Sequence, residues 1–212
     1  MARKTKAEAE RTRVLILKTT LDLFLKKGYE GTTFVDIADR IKLSKGAVYW
    51  HFKSKPELLM ALMDYMHEKH QDAVKEFQDV GSLEALRDSC VAKAATILKD
   101  VECINFMRVM MTLDWSAKRN VALKKMLLRR DKGLHGTITE TLAALQKTGE
   151  VKPDADVKTA AIVLTAIWLG MLRIKLDLGH EVDLPKAIGF GFDMAISNIR
   201  APKAPKHKVG KK

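Results

Sequence analysis

Between Thr33 and Leu58 the chain reads TFVDIADRIKLSKGAVYWHFKSKPEL and carries three helix starts in one short stretch. Thr33 stands three residues before Asp36, so its hydroxyl can accept a backbone N–H while the carboxylate reaches back. Ser44 is placed to cap a second short helix. Ser54 with Glu57, and Pro56 in the first turn, marks a third start. Val35, Ile37, Ala38, Ile41 and Leu43 give the first helix one apolar face and lead into a tight turn. The second helix keeps Val48 and Phe52 on one face and shows Lys45, Gly46, Ala47 and Tyr49 on the other. A cation, two tiny residues and a phenol make a poor core face. They suit contact with something grooved and anionic, and helix, tight turn, second helix is the arrangement that enters a DNA major groove.

Charge supports that reading through its distribution. Residues 1–60 hold 13 Lys and Arg against 7 Asp and Glu, residues 61–199 hold 19 against 19, and residues 200–212 hold six cations and no acid. The basic excess therefore sits on the helix-turn-helix stretch and on a tail, a nucleic-acid footprint. Met1 to Arg13 is polar and cation-rich, which fits a solvated terminus or an arm on DNA. Val14, Leu17, Leu21, Phe24 and Leu25 form a helical stripe that Gly28 stops.

Lys27-Gly28-Tyr29-Glu30-Gly31-Thr32-Thr33, Asp36-Ile37-Ala38 and the run Ser44 to Leu59 resemble the N-terminal domain of the tetracycline-repressor (TetR) family. The opening from Ala2 to Arg13 is similar to that of its multidrug-efflux repressors. The resemblance implies a ligand-responsive transcriptional repressor that binds a palindromic operator as a homodimer and controls an efflux or stress operon. Geometry and resemblance together nominate Thr33, Ser44, Lys45, Gly46, Ala47, Tyr49, His51 and Lys55 for DNA. Trp50 and Phe52 are assigned to packing. Lys42 stands where the family usually has glycine, and a left-handed backbone there would cost about 1 kcal/mol.

Beyond Ser54 the periodicities are helical throughout, with no alternating strand pattern, so the expected fold is all-α. The expected division is an arm and helix-turn-helix domain over 1–56, a helical effector and dimerisation domain over 57–200, and a disordered basic tail over 201–212. Phe106, Met107, Met111 and Trp115 are soft or aromatic enough to line a pocket, or to be plain core. His135, Trp168 and Met171 are further candidates. The resemblance implies an effector held among these helices, and the lining suits an apolar, aromatic or amphipathic one. Some efflux-repressor relatives carry an acid where this chain has Leu169, which argues against a pocket built for cations alone. Ala160 to Leu178 is apolar nearly all round, and Gly189 and Gly191 flank Phe190 beside Phe192. Ile167, Leu172, Gly189, Phe190, Gly191 and Phe192 are therefore expected at a homodimer interface, with an intramolecular core as the alternative.

No nucleophile with its base, carboxylate pair, phosphate loop or metal-spaced ligand set is present, so neither an enzyme nor a metal or other cofactor is expected. Cys90 and Cys103 have no ligand spacing and read as buried apolar residues. No signal segment and no membrane-length apolar run is read, which points to the cytoplasm without a membrane partner. The rival reading is a DNA-binding regulator or architectural factor with no small-molecule effector.

Overall fold

The structure, a computed structural model, describes residues 5–69, 80–117 and 134–202, with the side chains of 114–117 and 180 left aside. Arg3 and Lys4, residues 70–79 and 118–133, the Trp115 side chain and nearly all of the basic tail lie outside the described residues. Among the described residues the chain is all-α. In order come α1 (Lys6–Gly31), α2 (Phe34–Arg40), α3 (Lys45–His51), α4 (Lys55–Lys69), α5 (Leu83–Ile97), α6 (Val101–Ala117), α7 (Leu134–Lys147), α8 (Val157–Leu178) and α9 (Leu184–Ile199). They fall into two compact units, one within Met1–Ala73 and Thr96–Arg130, the other within Val74–Ala95 and Asp131–Lys212.

In the first unit α1 packs along α6, and α2 and α4 also pack on α1. Ile16, Leu17, Leu21, Phe24, Ile37, Val48, Phe52, Leu58, Leu59 and Leu62 are buried. Helix α1 begins earlier than its apolar stripe suggests. Thr5 caps it in a reciprocal box with Glu8, so the expected arm is helical from Lys6 onward. It is interrupted at Gly28, whose φ of +74° only glycine adopts freely. At the far end Lys69 Nζ donates to Asp100 (2.8 Å) and Glu102 (2.5 Å), tying the end of α4 to the start of α6.

In the second unit α8 packs against α7 and α9. Asp156 and Asp183 cap α8 and α9. Leu86, Cys90, Ile138, Leu142, Leu164, Trp168, Leu172, Ile188 and Phe192 fill the core. Cys90 and Cys103 are both buried, and burial pushes the Cys90 thiol up to about 12. By length and composition α8 is long and apolar enough to cross a bilayer, which corrects the expectation that no such run exists; a core helix of a water-soluble protein passes the same test.

The two glycines of α9 serve the chain's own packing. A Cβ on Gly191 would lie 2.7 Å from Ile167 Cγ2 on α8, and one on Gly189 would lie 2.8 Å from the Arg87 guanidinium on α5. Gly189, Gly191, Phe192 and Leu172 are buried within the unit, so they are core residues of one protomer. Glycine is present because helix backbone and side chain must approach closely there. Phe190 differs, being 67% exposed, and Ile167 is half-buried.

Candidate nucleic-acid interface

Helix α2 is set by Thr33 and Asp36. The Thr33 hydroxyl accepts from Asp36 N–H (3.2 Å), and Asp36 accepts from Thr33 N–H (2.8 Å). Lys27 Nζ at the end of the regular part of α1 donates to the same carboxylate at 2.5 Å. The Lys27 ammonium and the Thr33 donors hold the Asp36 carboxyl well below the usual carboxylate range. A depressed carboxylate stabilises the fold above its unfolded pKa and loses that contribution as pH falls through the folded value. In thermal melts, Asp36→Asn should therefore trail the parent by a constant margin from pH 5 to 8. That margin should shrink only below about pH 4. A margin that closed near neutrality would rule out this anchor.

The turn between α2 and α3 runs through Lys42 at φ +54°, while Leu43 N–H returns to Ala38 C=O at 3.0 Å. The expected left-handed position is real, and Lys occupies it. Ser44 then caps α3 through Ala47 N–H (3.1 Å). Val48 and Phe52 face inward and are buried. Two residues along a helix is about 200° around it, so Trp50 points away from Val48. It is 67% exposed, against the expectation that it packs, and its ring meets His51 edge-on at 4.6 Å. The sequence spacing already contained that signal.

Of the nominated residues, Thr33, Ser44, Lys45, Gly46 and Tyr49 are exposed, and Ala47 and His51 are half-buried. Lys45, Gly46 and Tyr49 occupy the solvent side of α3 with no bulky neighbour over Gly46, the nearest atom to an added Cβ being Ser44 Oγ at 3.9 Å. Lys55 is committed elsewhere. Its Nζ donates to the carbonyls of Tyr29 (2.8 Å), Glu30 (3.0 Å) and Thr32 (3.3 Å) and lies 4.7 Å from the Tyr29 ring centroid. It thus satisfies the carbonyls left open where α1 breaks and ends. Burial, with the Glu30 charge behind it, pushes the Tyr29 phenol up to about 12. Glu57 reaches back to Lys53 N–H (2.8 Å), one residue beyond the expected partner, while Ser54 accepts from Glu57 N–H.

Three further residues shape the surface. Lys53 Nζ donates to the Tyr49 (3.0 Å) and Trp50 (3.4 Å) carbonyls at the C-terminal end of α3. Arg13 lies 5.8 Å over the Phe52 ring, bringing a cation of α1 beside α3. Phe34, buried on α2, packs against Tyr49 with centroids 4.7 Å apart. The Lys53 contacts are local, three and four residues back along the chain, whereas Arg13 and Phe34 need distant partners that spacing does not reveal.

The effector candidates divide between the units. Phe106, Met107 and Met111 are half-buried on α6. In the other unit Trp168 is buried and its Nε1–H donates to Cys90 C=O (3.3 Å). His135 is half-buried with Nδ1 3.5 Å from Thr165 Oγ1, and Met171 is half-buried on α8.

The pattern of bacterial regulatory proteins of the tetR family matches residues 16–62, the stretch just described. Over 203 residues the chain is 30% identical to a Pseudomonas putida protein named "Probable HTH-type transcriptional regulator ArpR", covering 92% of this chain and 96% of that one. It is 29% identical over 204 residues to the HTH-type transcriptional regulator TtgR, also of Pseudomonas putida, with the same two coverages. Among solved structures it is similar to SmeT in complex with triclosan, at a TM-score of 0.76 and 25% identity, over 95% of this chain and 98% of that one. SmeT is the repressor of the Stenotrophomonas maltophilia multidrug efflux pump SmeDEF. With its helix-turn-helix, its all-α fold and relatives that span almost its whole length, this chain belongs to the TetR family and is a DNA-binding transcriptional repressor, not an enzyme.

Proposed function

We propose that the chain acts as a homodimer on a palindromic operator in double-stranded DNA, that a small apolar, aromatic or amphipathic effector releases it, and that it controls an efflux operon. The observation that carries the DNA half is the outward side of α3. Lys45, Gly46 and Tyr49 are presented to solvent on a helix whose other side is locked by Val48 and Phe52. Lys45 offers donors for guanine O6 or N7, and Gly46 lets the backbone come close. Two such helices related by a two-fold axis require matching half-sites about one helical turn or more apart.

The dimer reading rests on α8 and α9. Ile162, Val163, Leu169, Ile174 and Leu178 on α8 and Phe190 and Met194 on α9 remain exposed. A water-soluble monomer rarely leaves so much large apolar surface uncovered. A second copy covers it in this proposal, with Phe190 at its centre. The effector reading is supported by half-buried Phe106, Met107 and Met111 on α6, and by the triclosan complex of SmeT. Methionine and phenylalanine adapt to flat, varied, uncharged ligands.

The test is to select duplexes from the protein's own genome or a random pool, map the footprint, and titrate the complex with triclosan and other aromatic compounds. The expected result is a symmetric footprint, and an affinity that falls about 5- to 150-fold at saturating effector. A footprint without two-fold symmetry would overturn the operator reading. Compounds that bind without altering operator affinity would leave the regulator without an effector switch.

A further inference from the structure

Tyr49 does more on α3 than present a hydroxyl. Lys45 Nζ lies 5.7 Å from the Tyr49 ring centroid, within the range of attraction between an ammonium and an aromatic face. The two residues are four apart, one above the other on the helix. The Tyr49 ring is itself held by Phe34, whose centroid is 4.7 Å away at an interplanar angle of 52°. Phe34 is buried, and it is the first residue of α2, directly after the Thr33 cap. A continuous stack therefore runs from the core of α2 through a half-covered ring to the ammonium at the start of α3.

We infer that Tyr49 is a positioning residue for Lys45. Its ring, fixed by Phe34, restricts the flexible lysine to conformations that aim the ammonium outward from the first turn of α3. An ammonium has three donors, so one can face the ring while the others meet a base edge. A long side chain already restrained loses less freedom when it binds, and a fixed donor discriminates between base edges better than a wandering one. The phenol hydroxyl and the ring then have separable roles. The hydroxyl can serve a phosphate, which carries no sequence information, and the ring sharpens base preference through Lys45. This inference rests on the proposed reading of a base by Lys45.

The test uses full-length protein and a randomised duplex DNA pool, with base preference scored position by position at fixed salt. Five variants are compared with the parent: Lys45→Ala, Tyr49→Phe, Tyr49→Leu, Phe34→Leu, and Lys45→Ala combined with Tyr49→Leu. Tyr49→Phe keeps a ring, so binding should weaken evenly across sequences with preference intact. Tyr49→Leu should in addition relax preference at the position that Lys45→Ala relaxes. Its affinity for the preferred duplex should fall about two- to fivefold below that of Tyr49→Phe. In the Lys45→Ala background Tyr49→Leu should relax nothing further. If Tyr49→Phe and Tyr49→Leu show the same preferences while Lys45→Ala relaxes one position, the positioning role is wrong and base reading stands. If Lys45→Ala relaxes no position, the base reading itself fails. Melting curves matching the parent keep a folding defect from imitating either result, and Phe34→Leu, which loosens the ring while leaving every residue of α3 in place, should reproduce Tyr49→Leu in weaker form.

Discussion

Phe190→Asp should convert the proposed dimer into folded monomers and reduce operator affinity by about a hundredfold or more, because two linked reading heads gain roughly that factor over one. Phe190 is exposed on α9, one turn from exposed Met194, and the charge it would introduce faces solvent in the isolated protomer. The protomer should therefore melt close to the parent while its sedimentation halves in mass. Gly191→Ala should behave in the opposite way. Its new methyl meets Ile167 Cγ2 at 2.7 Å inside the protomer, so the melt should fall by the equivalent of about 1–3 kcal/mol. Whatever dimer remains should still bind DNA. A Phe190→Asp protein that sediments as an intact dimer at micromolar concentration would move the interface away from this face.

Lys55→Met should destabilise the DNA-binding unit itself. The methionine keeps most of the apolar stem but removes the donor shared by the Tyr29, Glu30 and Thr32 carbonyls. Leaving the part-buried Tyr29 and Thr32 acceptors unsatisfied costs about 1–3 kcal/mol, which at about 2–4 °C per kcal/mol is a visible drop in the melting temperature. A lysine that served only as a phosphate anchor would behave otherwise. Its loss would leave the melt unchanged and lower the salt dependence of DNA binding by about one counterion. The two readouts, taken on one protein, separate the roles.

Whether the residues alone announce a feature depends on how far along the chain its physical cause lies. Helix starts are local events. A hydroxyl or carboxylate at Thr33, Ser44, Asp156 or Asp183 satisfies N–H groups two or three residues on, so the residues alone announce them. The same holds for the Thr5–Glu8 box, which is legible in the residues although the cation-rich opening reads as an arm. It holds for Trp50 too, whose angle from Val48 follows from helix geometry. The left-handed position at Lys42 is visible as a departure from the glycine expected there.

From the sequence alone came the all-α class, the helix-turn-helix and the face of α3 that is turned outward, because 3.6-residue periodicity and capping act within a few residues. Tertiary structure alone decided which apolar residues are covered. Helix α8 is apolar nearly all round, so its pattern carries no phase: nothing in it tells Leu172, which is buried, from Leu169, which is exposed. The glycines of α9 show the same limit. A gap for close approach can be filled by another chain or by this one, and only the position of Ile167 and Arg87 shows that this chain fills it. Lys55 is the clearest case, since its three acceptors lie 23 to 26 residues earlier, and only folding brings an ammonium to carbonyls that far away.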